Sequence, residues 1–341
     1  MSTAAAILGC SGHALTRGET AFFKAVKPWG FILFARNVES PDQVRRLVDA
    51  LRETVGRADA PILIDQEGGR VQRLGPPHWG KYPPGRAYGD LSGNDPLLRR
   101  EITRLGARLL AHDLAALGIN VDCVPVLDVP DSTGHEIIGD RAYGQTPDEV
   151  ALLGRAAAEG LIAGGVLPII KHIPGHGRAK ADSHLELPVV DTPWDELDAR
   201  DFAPFRVCSD MPMAMTAHVI YSAVDRRRPA TTSKKVMRKV IREAIGFDGL
   251  VMSDDLSMKA LAGSFTDRAK ASLAAGCDVV LHCNGDMAEM KAVLAGTGAL
   301  KGRAARRAAA ALARIAKVAE PFDAAEGRAR FDAAFDGRWA A

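Results

Sequence analysis

Eight short apolar runs, helical patterns between them and polar residues at the C-terminal ends of six predict an α/β chain folded as a (β/α)8 TIM barrel. The runs are 4–9 (AAAILG), 30–34 (GFILF), 61–65 (PILID), 119–129 (INVDCVPVLDV), 166–172 (VLPIIKH), 213–220 (MAMTAHVI), 249–255 (GLVMSDD) and 278–283 (DVVLHC). They are continuously apolar rather than alternating. That is the composition of strands buried on both faces of a parallel sheet. A doubly wound open sheet is the rival. It usually has fewer strands and a G-x-G-x-x-G phosphate turn after the first. The stretch GCSGHALTRGE after the first run does not supply that turn.

The helical patterns follow in order. Residues 40–56 carry Ser40 as N-cap, Pro41 at the first helical position, and Val44, Leu47, Val48 and Leu51 on one face. The pattern 94–118 is long and ends at Gly118. The pattern 146–165 opens Thr-Pro and closes Gly-Gly. The pattern 192–208 opens the same way, and its internal Pro204 predicts a kink or a split. Ser233 caps 233–246, which Gly246 closes; further helical pattern covers 264–275, 286–296 and 301–317. One barrel domain is therefore expected over 1–341, with a C-terminal helical segment at about 301–341. Two inserts interrupt the alternation, a Gly- and Pro-rich stretch at 66–93 and another at 173–191. Loops that long inside a compact domain are usually functional.

Composition narrows the class. The chain has 341 residues, 47% hydrophobic and 25% charged, which is ordinary globular usage. A single α/β barrel can run to that length. With 44 basic and 42 acidic residues the net charge is +2, too balanced to predict binding to nucleic acid or to a membrane surface. The densest basic clusters, Arg226-Arg227-Arg228 and Lys234-Lys235, are short and read as solvated. The five cysteines (10, 123, 208, 277, 283) form no C-x-x-C pair and mostly sit in apolar runs, where Cys acts as a small buried hydrophobe. An odd, scattered set points to a reducing compartment, so a cytoplasmic location is expected. The opening MSTAAAILGCSG looks faintly like a lipoprotein signal ending at Cys10. It has no basic n-region and its apolar run is too short, so it is read as the first strand. No 18-residue apolar stretch exists, and no transmembrane helix is expected.

In a barrel of this kind the active site lies at the C-terminal ends of the strands. Strand 3 ends Asp65-Gln66-Glu67, strand 4 at Asp128, strand 5 at Lys171-His172 and strand 7 at Asp254-Asp255; strands 6 and 8 hold His218 and His282. One carboxylate at a strand end is ordinarily a turn or cap residue. Six polar strand ends converging on one rim are better read as a site. A metal centre is not supported. His172 and His176 have helical i, i+4 spacing, but Pro174, Gly175 and Gly177 forbid the helix. Acid–base chemistry fits better. Asp254 stands where a buried strand opens to the rim, which suits a nucleophile or an electrostatic stabiliser. Asp182-x-His184 offers a carboxylate to orient an imidazole, although an ordinary polar turn explains that triplet equally well. A His ionising near ~6.5 suits proton transfer at neutral pH. Asp65 accepts and Lys171 donates, so the pair can hold a hydroxyl from both sides. Arg73 and Arg141 carry forked donors suited to sugar oxygens or an amide carbonyl.

Five motifs, IDQEGGRVQRL (64–74), GDRAYG (139–144), KHIPGHG (171–177), ADSH (181–184) and SDDLSM (253–258), appear in one order along the chain. Together they closely resemble the single-domain bacterial β-N-acetylglucosaminidases of glycoside hydrolase family 3, enzymes of peptidoglycan recycling. The resemblance runs from about residue 4 to 285. The departures are mild: Ile173 and Tyr143 stand where the family often has Phe. The resemblance implies a retaining hydrolase with no cofactor and no metal. It removes terminal, non-reducing β-1,4-linked N-acetylglucosamine from GlcNAc-anhydro-MurNAc and its peptides. It implies Asp254 as the nucleophile that forms a covalent glycosyl-enzyme, with Asp255 behind it. His184 would be the general acid/base and Asp182 its orienting partner. Asp65, Arg73, Arg141, Lys171 and His172 would bind the sugar. His176 would structure the loop, and Gly175 and Gly177 would let it fold over the sugar and swing away. Because the acid is a loop histidine, the ~5–5.5 Å carboxyl separation of retaining enzymes does not apply directly.

Other readings stay open on sequence alone. A phosphorylase would use phosphate as acceptor at the same site. A metal-dependent barrel hydrolase would lose activity to chelators. An inactive sugar-binding module would be expected to lack Asp254, Asp182 or His184. A substrate-assisted hexosaminidase would use the N-acetyl group as its nucleophile. A small-molecule saccharide substrate and a monomeric chain are expected.

Overall fold

The computed structural model describes residues 2–91, 95–132, 134–183, 185–315 and 319–339. Eight parallel strands close into a barrel: β1 (Ala4–Gly9), β2 (Pro28–Leu33), β3 (Ile62–Ile64), β4 (Val121–Asp122), β5 (Leu167–Ile173), β6 (Met213–Thr216), β7 (Leu250–Asp255) and β8 (Val279–His282). Each pairs with the next in sequence, and β8 returns to β1 through Ala6–Val280, Ile7–Leu281 and Leu8–His282. The eight apolar runs are these strands.

Their uninterrupted apolar composition has a direct cause. Side chains such as Ile7, Leu63, Val121, Ile169, Met215, Met252 and Leu281 pack on one another inside the barrel. Their neighbours Leu8, Ile62, Ile64 and Val280 pack outwards into a second cluster with the helices, and Ile170, Ala214 and Val251 into a third. Both faces are dry, so neither alternates. The fourth strand is shorter than the 119–129 run, because Pro125 has no N–H to give the ladder. The chain rejoins β5 through a Val126–Lys171 bridge and a Leu127 N–H to Lys171 carbonyl bond of 2.6 Å.

The helices follow their caps. Ser40 accepts from Gln43 N–H at the start of Pro41–Val55, and left-handed Gly56 ends it. Asp95 caps Pro96–Ala115, and a Thr146/Glu149 capping box opens Pro147–Ala163. The predicted 192–208 helix divides into Trp194–Glu196, a wider-wound Leu197–Asp201 and Ala203–Val207. Pro204 sits in the first turn of the last piece, where its missing N–H costs nothing. A helix at Arg17–Val26 is added to those predicted, announced by a Thr16/Glu19 capping box.

The two inserts are tied down. Val189–Val190 pairs in parallel with Ile220–Tyr221, fastening the end of the 173–191 insert to the chain beyond β6. The 66–93 insert carries a short helix, Gly85–Gly89, and is held by the C-terminal segment. Phe331 of the helix Ala324–Ala334 and Phe335, which caps its C-terminus, pack on Tyr88, and Phe331 also on Tyr82. Among the described residues no helix is long and apolar enough to cross a membrane. Phe331→Ala should lower the unfolding free energy by about 3–5 kcal/mol in a urea titration. An unchanged midpoint would mean that the insert is held without this ring.

Candidate functional site

The site is built on a buried cation. Lys171, in the last turn of the β5 ladder, is only 2% exposed. An ammonium there must be paired. Its Nζ lies 2.9 Å from Asp65 Oδ1 and 2.6 Å from Glu67 Oε1, both just past the end of β3. Glu67 in turn receives the fork of Arg141, whose Nε and Nη2 each donate at 2.8 Å. Arg73 Nη2 reaches Asp65 Oδ2 at 3.4 Å. Burial alone would raise both carboxyls, but Lys171 and Arg73 hold Asp65 below the usual range, and Arg141 and Lys171 hold Glu67 well below it. Burial would likewise discharge Lys171, and the two carboxylates push it the other way. Asp65, Glu67 and Lys171 are therefore all charged at neutral pH.

Asp128 is the second hub. It is fully buried, and its two oxygens serve two segments of the KHIPGHG motif. Oδ2 lies 2.7 Å from His172 Nδ1; Oδ1 accepts the N–H of His172 at 3.2 Å and of His176 at 2.6 Å. Burial is outweighed by His172 and these donors, so the carboxyl stays ionised. An ionised carboxylate only accepts, which places a proton on His172 Nδ1 and directs its Nε2 chemistry elsewhere. The His176 ring is also buried. Its Nε2 lies 3.1 Å from Ser183 Oγ, and burial first, then His172, pushes its pKa down to about 4.

The facing wall comes from β7. Asp254 Oδ1 accepts the N–H of Asp255 at 2.8 Å. The Asp255 carboxylate is occupied by the Ser257 hydroxyl and by N–H groups of Ser257 at 3.1 Å and Cys283 at 3.2 Å, so it fixes the loop after β7. Beneath, His218 Nε2 donates to the Asp255 carbonyl at 3.0 Å. Burial pushes His218 below its ordinary pKa, so the ring is neutral and its Nδ1 takes the Thr231 hydroxyl proton at 2.7 Å.

Asp65, Glu67, Arg73, Arg141, Lys171, His172, His176, Ser183, Asp254 and Asp255 all line one cavity of about 210 Å3 at the C-terminal end of the barrel. Phe34, Met215, Met258 and Leu281 supply its apolar wall. Drug-sized ligands ordinarily take roughly 300–1,000 Å3, so this space suits one small ring. The structure thus gathers six of the eight site residues expected from sequence. Asp182 is the residue before Ser183, and its carbonyl accepts the N–H of Leu185 at 2.9 Å and of Glu186 at 3.0 Å. His184 lies outside the described residues. Arg141 is more committed than expected, because its fork is spent on Glu67. The Pro174–Gly177 turn, expected to be a hinge, is buried throughout. Glu67, Asp128 and Ser183 were given no role by sequence reasoning. A lysine ending an apolar run signals that some carboxylate must meet it, but not which. Among the described residues no group of three or more His, Cys, Asp or Glu side chains is arranged for a metal ion.

A parallel barrel whose rim gathers charged hydrogen-bonding groups around space for one ring is suited to an enzyme acting on a small polyhydroxylated ligand such as a sugar. The model of the glycosyl hydrolase family 3 N terminal domain matches residues 17–318, and the chain belongs to that family. Its relatives narrow the activity. It is 41% identical to a β-hexosaminidase of Methylococcus capsulatus over 277 residues, 80% of each chain. It is 39% identical to one from Nitrosomonas eutropha, over 82% of this chain and 80% of that one. Among solved structures, NagZ from Neisseria gonorrhoeae in complex with N-trifluoroacetyl-D-glucosamine superimposes with a TM-score of 0.85 at 31% identity, covering 100% of this chain and 99% of that one. A family 3 β-N-acetylglucosaminidase from a Paenibacillus strain gives 0.83 at 30% identity, over 97% of this chain and 67% of that one. The chain is a glycoside hydrolase of the β-N-acetylhexosaminidase class.

The buried ionisations set the acid limb of stability. His176 has a folded pKa of about 4, below the ~6.5 of an unfolded chain. Between those values the unfolded state binds the extra proton, so stability falls as pH drops from about 6.5 towards 4. Asp65, Glu67 and Asp128 have lowered folded values. Their contribution is complete above the ordinary carboxylate range and is lost as pH falls through the folded values. His176→Gln should therefore flatten the upper limb by up to about 3 kcal/mol, with His218 retaining part of the slope and Asp65 and Glu67 retaining their part of the carboxylate limb. Urea titrations at stepped pH check this; an unaltered upper slope contradicts it.

Proposed function

We propose that the chain is an exo-acting, retaining β-N-acetylglucosaminidase that works through a glycosyl-aspartate. Asp254 attacks the anomeric carbon of a terminal N-acetylglucosamine and forms the covalent ester. His184, oriented by Asp182, gives its proton to the departing oxygen, and afterwards takes one from water as the ester is hydrolysed. The observation that supports this most is the position of Asp254. It faces the Asp65–Lys171–Arg73 group and His172 across a cavity sized for one sugar ring.

The chemistry of the rim fits those roles. Lys171 retains one donor beyond its two ion pairs, and Asp65 and Glu67 retain lone pairs, so a neighbouring sugar hydroxyl finds both donor and acceptor. His172 presents Nε2 while Asp128 holds Nδ1. Arg73 brings a cation beside Asp65, over the Phe34 ring at 5.3 Å. A cavity with room for about one ring favours attack at a terminus. The substrates proposed are GlcNAc-anhydro-MurNAc and its peptides from peptidoglycan turnover, met in the cytoplasm by a monomeric, single-domain enzyme that needs neither metal nor cofactor.

A 5-fluoro N-acetylglucosaminyl donor should leave one covalent sugar on the peptide containing Asp254, located by mass spectrometry. Asp254→Ala should lose at least about 10³-fold in kcat while still binding sugar. A label on another residue, or turnover retained by the variant, would overturn the nucleophile assignment. Turnover that rises with phosphate and yields sugar phosphate would instead make the enzyme a phosphorylase.

A further inference from the structure

We propose that Ser183 and His176 form a latch that positions the acid/base loop, making Ser183 a positioning residue for protonation of the leaving group. The proposal rests on the reading of Asp182 and His184 given above.

The 173–191 insert changes character along its length. Its root, Ile173–Gly177, is buried. Asp128 takes the His176 N–H at 2.6 Å, and the Tyr221 hydroxyl donates to the Gly175 carbonyl. A Cβ on Gly177 would come within 1.9 Å of the Val129 carbonyl oxygen, so chain packs directly on chain there. Beyond Ala179 the insert opens to solvent: Lys180, Leu185 and Glu186 are exposed, Leu185 by 65%. Ser183 departs from that trend at 3% exposure. Two bonds hold it. Its Oγ meets His176 Nε2 at 3.1 Å, and its carbonyl accepts the Ala260 N–H at 3.2 Å, from the loop after β7. It stands between Asp182 and His184 in sequence, and it lines the same cavity as Asp254.

The ring's protonation follows from its surroundings. His176 Nδ1 is buried with no hydrogen-bond partner among the described residues. A buried orphan lone pair is tolerated better than a buried orphan N–H. The proton of the neutral ring therefore sits on Nε2 and is donated to Ser183 Oγ, leaving the serine hydroxyl proton for an acceptor in the cavity. His176 does not move the proton of the reaction. It is a fixed post, set by Asp128 at its root, to which the exposed part of the insert is tied at the residue between the acid and its partner. A general acid must stand within about 2.6–3.2 Å of the oxygen it protonates, and a misplacement of about 1 Å can cost 10²-fold.

The test compares two substrates on each enzyme, by kcat/KM, which reports only the steps up to glycosyl transfer. N,N′-diacetylchitobiose leaves as a sugar alkoxide and needs the acid. The 2,4-dinitrophenyl β-N-acetylglucosaminide leaves without one. Ser183→Ala and His176→Phe should each fall about tenfold or more on the disaccharide, a part of the 10²–10⁴ a general acid supplies, and less than about twofold on the aryl glycoside. Ser183→Thr should recover most of the loss. The double variant should be no worse than the worse single one. Because both rates come from one preparation, their ratio does not depend on the folded fraction; if Ser183→Ala fails to fold, His176→Phe carries the test. Equal losses on both substrates, no loss, or additive losses in the double variant would overturn the latch. His184→Ala separates the two readings. If it shows the same selective loss while Ser183→Ala does not, the latch alone is wrong. If it shows none, the acid assignment fails and the latch with it.

Discussion

The ammonium of Lys171 is the constraint around which the rim is organised. A cation buried to that depth is stable only with carboxylates at contact distance. Asp65 and Glu67 supply them from the end of β3, over a hundred residues earlier in the chain. Two carboxylates against one ammonium then need further positive charge, and Arg141 and Arg73 bring it. For Glu67 to reach the group, the chain must turn sharply just beyond it. Gly68 does this at φ +94°, where a Cβ would lie 2.3 Å from the Pro83 carbonyl oxygen. The insert folds back on itself there, and the C-terminal aromatic residues clamp it. One charge on β5 thus dictates structure as far as the end of the chain.

Charge at the rim is partitioned by burial. Asp122 lies near the ionised group but is itself fully buried, with one N–H, from Gln66 at 3.0 Å, on its carboxylate. Burial pushes its pKa well above the usual carboxylate range, which disfavours a further negative charge beside the group. The two aspartates of β7 are separated differently. Asp255 takes the Ser257 hydroxyl and the N–H groups of Ser257 and Cys283, which shape the next loop, whereas Asp254 takes the N–H of Asp255 itself. Adjacent carboxylates of one strand end thus tie down different stretches of chain.

The barrel was legible because parallel strands buried on both faces leave an unbroken apolar trace. β4 was legible only in part, since Pro125 interrupts the ladder inside a run that remains apolar throughout. The helix at Arg17–Val26 carries its signal in four residues, Thr16 to Glu19, rather than in a long apolar face. At the site, Asp65, Lys171, His172 and Asp254 could be read as polar ends of apolar strands. Glu67 and Asp128 were visible at the same rim, but their partners are set by closure of the barrel, which no local spacing encodes. That Glu67 claims the fork of Arg141 could not be read from GDRAYG. The roles of Asp182 and His184 came from a family resemblance, not from spacing. Ser183 sat unnoticed between them, because a serine between two polar residues looks like any turn.

The two oxygens of Asp128 have a thermodynamic consequence. One holds the ring of His172, at the cavity; the other holds the amides of His172 and of His176, the latter at the root of the 173–191 insert. A ligand that narrows the motion of His172 therefore narrows that of the loop's root as well. Linkage makes the exchange symmetric: whatever factor a docked loop adds to sugar affinity, bound sugar adds to docking of the loop. An empty cavity and a loosened root then favour each other.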